Sequence, residues 1–136
     1  MPEGSPEPRS PRVVVTGSTR GIGRGLAAAL LSLGCRVTVS GRSADGVRRT
    51  VAELEALAPG RVHGAACDVG SLSDVQALWA TACARFGGVD IWVNNAGVSH
   101  AYARFWELPP AEVEAAVRTN LLGVIHGTRV AVEGMQ

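Results

Sequence analysis

This 136-residue sequence predicts a doubly wound α/β fold, a parallel sheet with helices on both faces. Three observations carry that prediction. Short β-branched runs alternate with longer stretches whose apolar residues recur at helical spacing. A parallel return between such strands needs a long connection, so the alternation implies parallel pairing with right-handed crossovers. A glycine-rich turn stands where the first strand passes into the first helix. The length suits one domain with a moderate core, and the chain has no internal repeats and no second domain.

Each element has its own justification. "RVVVTG" (12–17) is a buried strand by its length and its valines. "IGRGLAAALLSLG" (22–34) follows as a helix with Ile22, Leu26, Leu30 and Leu33 on one face and Gly34 as the C-terminal cap. "RVTVS" (36–40) is the second strand. "SADGVRRTVAELEALAPG" (43–60) is helical, with Val47, Val51, Leu54 and Ala58 in phase and a Pro-Gly stop. "RVHGAAC" (61–67) is a third strand, weakened by Gly64. In "SLSDVQALWATACARFG" (71–87), Ser71 and Asp74 have the spacing of a capping pair, and Val75, Leu78 or Trp79, Ala82 and Phe86 form the apolar stripe. "VDIWVNNAG" (89–97) is a fourth strand, apolar enough for a sheet interior. The last helix, "PPAEVEAAVRTNLLGVIHGTRVAVEGM" (109–135), places Val113, Val117, Leu121, Ile125, Thr128 and Val132 in phase.

Composition narrows the function. The chain is 46% hydrophobic with a net charge of +1, which gives no whole-chain electrostatic case for nucleic acid or a membrane surface. No apolar run nears the roughly 20 residues of a membrane-spanning helix. Residues 1–11 hold four prolines and two glutamates, so they read as a flexible tail and not as a secretory signal. Cys35, Cys67 and Cys83 show no ligand spacing and fit free thiols in the cytoplasm or another reducing compartment. His63, His100 and His126 are scattered, so no metal site is expected and they read as surface or loop residues. All 13 Lys+Arg residues are arginine, and Tyr102 is the sole tyrosine.

Gly17, Gly21 and Gly23 lie at the strand-to-helix turn, where a side chain would keep a phosphate from the backbone amides and where a helix N-terminus attracts anions. Their GxxxGxG spacing differs from GxGxxG, and a Walker loop needs a lysine that this chain lacks. With "CDV" (67–69), "VNNAG" (93–97) and Asn120 in an apolar helix, the "TGSTRGIG" stretch (16–23) resembles the nucleotide-binding half of the short-chain dehydrogenase/reductase family, from about Arg12 onward. The resemblance implies a Rossmann-like, three-layer α/β/α domain over 12–136, incomplete at its C-terminus, with a dinucleotide across the carboxyl ends of the strands. Gly17, Ser18, Thr19, Arg20, Gly21, Ile22 and Gly23 would wrap the phosphates. Asp68 would bond the adenine amino group with Val69 beside the ring. Asn94, Asn95, Ala96 and Gly97 would floor the ribose, with Asn95 steadying the neighbouring strands. The plainer alternatives are a strand-end turn at Asp68 and a structural strand terminus at "NNAG".

NAD sites place an acid at the end of the second strand. Gly41 stands there and Arg42 follows, while Arg20 can approach from the glycine loop; a guanidinium fork suits a 2′-phosphate, so NADP(H) is favoured over NAD(H). Two solvated surface arginines are the alternative.

Family members move hydride between a nicotinamide and a carbonyl or alcohol, using Asn, Ser, Tyr and Lys. Asn120 matches the catalytic asparagine, which holds a water through a kink in its helix; a polar residue in a helix bend is the alternative. Tyr102 is followed four residues later by Trp106, and no lysine exists. The chain is therefore expected to be a fragment or short isoform of a longer NADP-dependent reductase, homo-oligomeric when whole and inactive as it stands. A non-catalytic dinucleotide-binding or subunit-pairing isoform is the alternative. "VSHAYARFWELPP" (98–110) suits either the edge of a pocket for a flat apolar substrate or a partner subunit. The wording of "VDIWVNNAG" with those aromatics resembles the chlorophyll b reductase branch of the family.

Overall fold

Valine dominates the two central strands because both faces of a parallel sheet are covered. The computed structural model describes residues 8–136, so most of the tail lies outside the described residues. Strands β1 (Arg12–Val15), β2 (Arg36–Gly41), β3 (Val62–Ala66) and β4 (Ile91–Val93) form one parallel sheet in the order β3-β2-β1-β4. Val14 of β1 lies opposite Thr38 of β2 and Trp92 of β4. Val13, Val14, Val15, Val37 and Val39 are 1% exposed or less.

Alternation along β1 divides the core into two layers. Val13 and Val15 pack with Ala27 and Leu31 of α1 (Gly21–Ser32) and Leu54 of α2 (Ala44–Leu57). Val14 packs on the other face with Val75, Leu78 and Ala82 of α3 (Leu72–Phe86) and Val130 of the last helix. The doubly wound three-layer fold is thus as expected. The chain winds outward from β1 to β3 and then crosses back to place β4 on the other side of β1, so the order reverses beside β1.

Several details differ from the sequence reading. On α1 the buried face is Gly23, Ala27 and Leu31, one residue out of phase with the expected one, and Ile22 and Leu33 are 84% and 80% exposed. Close approach of the helix to the sheet selects its smallest residues, and the large ones are pushed to the rim. Gly64 does not weaken β3. A Cβ there would lie 2.7 Å from Val47 Cγ1, so the glycine lets α2 rest against the strand. His63 lies half-buried on β3, bonded to Thr81 Oγ1 at 2.9 Å, and is neither a loop nor a surface residue.

The last helix is three segments, α4 (Pro110–Ala116), a π turn (Val117–Leu122) and α5 (Gly123–Met135). The π turn shifts the helical phase, so α5 buries Gly123, Gly127, Val130 and Ala131. Val117, Leu121, Ile125 and Val132, expected to face the core, are about half exposed. β4 pairs with β1 alone among the described residues, and Ile91 is 44% exposed.

Candidate functional site

A cleft of about 310 Å³ opens where the strand order reverses, at the carboxyl ends of β1 and β4. Its floor is the turn from β1 into α1. Gly17 and Gly21 have φ of +61° and +59°, which side chains rarely adopt. A Cβ on Gly17 would lie 2.6 Å from Ala96 Cα, whereas one on Gly21 would meet nothing within 4 Å. Gly23 has no room either, since its Cβ would run into Asn95 Nδ2 and the Gly17 carbonyl. The loop is a cradle of bare backbone at the start of α1, and its glycines are fixed by conformation at two positions and by packing at the third.

Asn95 holds the cradle. Its Nδ2 donates to the Thr16 and Gly17 carbonyls at 3.0 Å each, and Thr16 Oγ1 accepts from the Asn95 and Ala96 amides at 3.0 Å. The ends of β1 and β4 are thereby stitched together. Ser18 is wholly buried and turned from the cleft: its hydroxyl donates to the Val15 carbonyl at 2.6 Å and accepts from the Ser40 amide at 3.0 Å. Asn94 also lies outside the cleft lining, bonding Trp92 Nε1 and Thr128 Oγ1 instead. Only the backbones of these two residues remain for ligand contact.

The other expected residues converge. Thr19, Arg20, Ile22, Arg42, Asp68, Val69, Ala96 and Gly97 line the cleft together with the three glycines. One Asp68 oxygen accepts from the Gly70 amide at 2.9 Å, and the other faces Arg118 at 3.5 Å. Asp68 is therefore a strand-end turn residue as well as a wall of the cleft. Asn120 lies in the π turn, its Oδ1 accepting from the Val98 amide and its Nδ2 donating to the Val98 carbonyl, both at 2.8 Å. This two-point clasp sets the loop after β4 against the helix.

Cys67, Val98 and Thr119 also line the cleft and escaped the sequence reading. "CDV" placed Cys67 beside two expected residues, but Val98 and Thr119 are brought in only by the Asn120 clasp. Burial, with Asp74 and Asp68 nearby, pushes the Cys67 thiol up to about 12, so it stays protonated and inert at neutral pH. Among the described residues no group of histidine, cysteine or acidic side chains is arranged to hold a metal.

The fold and cleft define a dinucleotide-binding α/β protein. The family model for short chain dehydrogenases matches residues 11–136, and the chain belongs to that family. Among curated relatives it is 38% identical to a probable chloroplastic chlorophyll(ide) b reductase of Arabidopsis thaliana, over 90% of this chain and 28% of the relative. It is 37% identical to a D-beta-hydroxybutyrate dehydrogenase of Cupriavidus necator, over 90% of this chain and 47% of the relative. The chain thus spans less than half the length of these relatives. Among solved structures, actinorhodin polyketide ketoreductase with NADPH superposes with a TM-score of 0.84 at 38% identity, covering 92% of this chain and 47% of that one. A short-chain dehydrogenase/reductase from Burkholderia phymatum in complex with NAD gives 0.85 at 34%, covering 92% and 44%.

Proposed function

We propose that the protein is an NADP-dependent oxidoreductase transferring hydride between the nicotinamide and a carbonyl or alcohol, and that residues 12–136 are its cofactor-binding part. The bare-backbone cradle fits a pyrophosphate, with Gly17 to Gly23 around it, Asp68 and Val69 at the adenine, and Asn94 to Gly97 below the ribose. The bound cofactor supplies the hydride; these residues bind and orient it. Asn120 is the one catalytic side chain assigned, and the chain holds one tyrosine and no lysine, so on this reading the 136 residues bind cofactor without turning it over.

The observation that carries the NADP choice is at Gly41. A Cβ there would lie 2.7 Å from Thr19 Cγ2 and 3.1 Å from Thr19 Oγ1, so Thr19 would have to move to admit the acid of an NAD site. Arg42 comes next, exposed at the mouth of the cleft. In the whole protein, Arg42→Ala should weaken NADPH by about tenfold through loss of a charge-assisted bond, with NADH nearly unaffected. An unchanged NADP/NAD ratio would refute the assignment.

A second reading concerns substrate. Tyr102, Phe105 and Trp106 are all more than 75% exposed on the loop leaving Val98, and a chlorophyll(ide) b reductase is among the relatives. A flat, apolar tetrapyrrole is a fitting ligand for that edge. Turnover of chlorophyllide b with NADPH, set against simple hydroxy acids and ketones, distinguishes it from the general carbonyl reductase. The homo-oligomeric state and the reducing compartment are proposed on the same footing; no described helix is long and apolar enough to cross a membrane.

A further inference from the structure

Most of the arginines in this chain have a bonding partner. Arg12 and Arg9 pair with Asp90, Arg24 with Glu53, Arg48 with Asp45, Arg104 with Glu107, Arg118 with Asp68 and Arg129 with Glu133. Arg61 and Arg85 donate to backbone carbonyls. Among the described residues only Arg20, Arg36, Arg42 and Arg49 have guanidinium groups with neither an ion-pair nor a hydrogen-bond partner. Three of these four, Arg20, Arg42 and Arg49, line one cleft between α1 and α2, which shares Thr19, Arg20 and Arg42 with the dinucleotide cleft. Arg36 stands at the opposite end of β2.

The cleft is built by helical spacing. Arg20 and Arg24 come from the start of α1, one turn apart, and Gly46, Arg49 and Glu53 follow one face of α2. Its single acid, Glu53, is already engaged by Arg24. Thr50 Oγ1 donates to the Gly46 carbonyl at 3.0 Å and lies 3.4 Å from the Thr19 carbonyl of the glycine loop. Three unpaired guanidinium groups lining one concavity make it positively charged, and a phosphate monoester matches their fork geometry.

We infer that Arg49 is a specificity residue that reads a phosphate monoester on the cofactor's adenosine ribose, completing with Arg20 and Arg42 a three-arginine pocket. The inference rests on the NADP reading and adds to it a residue seven positions beyond Arg42, on another element. Arg24 lines the same cleft but is already paired with Glu53. The third guanidinium raises selectivity for the phosphorylated ribose without touching the reacting atoms.

The test is calorimetric titration of the whole protein with 2′-phospho-ADP-ribose and with ADP-ribose, ligands that bind without hydride chemistry. Arg49→Ala should weaken the phosphorylated ligand by about tenfold and ADP-ribose by less than twofold, as expected for one charge-assisted bond. Arg49→Lys, which keeps the charge, should retain part of the preference, and Arg36→Ala should change neither ligand. A wild-type protein that prefers the phosphorylated ligand while Arg49→Ala keeps the same ratio overturns the inference and leaves the NADP reading standing. A wild-type protein with no preference overturns both. Inorganic phosphate is the third arm: if it binds in an Arg49-dependent way without competing with 2′-phospho-ADP-ribose, the cleft is a free-anion site and the inference fails. Arg49 is exposed, and matching thermal melts for the variants separate lost binding from lost fold.

Discussion

Gly17 and Gly23 are adjacent in the cradle but are glycine for different reasons, so their substitutions should fail differently. Gly17→Val demands both a positive φ and space already held by Ala96; Gly23→Val pushes α1 off the Asn95 clasp. Both should abolish cofactor binding by fluorescence titration, and a folded variant of either that titrates normally would refute the cradle. Cys67 offers a check on burial. With its thiol held near 12, alkylation by iodoacetamide at pH 8 should be far slower than for an exposed thiol, and rapid labelling would show that the cleft wall opens. Away from the site, Arg12 forks onto Asp90 through two bonds of 2.8 Å, while its amide donates to the same carboxylate at 2.9 Å. The guanidinium holds the Asp90 carboxyl far below the usual range. Its stabilising contribution is therefore full above the unfolded carboxyl's pKa, about 3.9, and is lost as the pH falls from there through the folded value. Asp90→Asn should cost about 1.5–3 kcal/mol in denaturant melts at pH 7 and flatten the acid limb of stability.

At the scale of elements, α1 shows what an apolar count misses. Leu31 is buried and Leu26 and Leu30 are partly buried, yet Ala27 is 0% exposed and Ile22 84%. Ala27→Leu should destabilise by about 1–3 kcal/mol through overpacking, whereas Ile22→Ala should leave the melting temperature nearly unchanged. Periodicity, with apolar runs, placed the four strands and the α-helical stretches. It misplaced the inner faces of α1 and α5, because the sheet selects small residues for close approach and because the π turn at Val117–Leu122 shifts the phase. The apolar spacing of "VRTNLL" does not signal the π turn, although the family resemblance implied a kink at Asn120.

For the whole molecule, two surfaces are exposed together. The free edge of β4 carries Ile91, and the outer face of the π turn and α5 shows Leu121, Ile125 and Val132, each about half exposed. An open parallel edge is a template for further pairing, and apolar patches of this kind mark association surfaces. The 136 residues expressed alone should elute from size exclusion as oligomer or aggregate and show no NADPH turnover with carbonyl compounds. A monodisperse monomer with substrate-dependent NADPH oxidation would refute both expectations.

The glycine trio was legible in the sequence because close backbone approach restricts those positions, whereas "CDV", "VNNAG" and Asn120 were singled out through the family resemblance. Composition likewise showed that these residues hold one tyrosine and no lysine to pair with it. Only the tertiary structure decided that Ser18 and Asn94 turn from the cleft, that Thr19 fills the space beside Gly41, and that Arg49 joins Arg20 and Arg42 across two helices. Those outcomes depend on the direction of side chains from separate elements, and local spacing carries no record of where two helices meet.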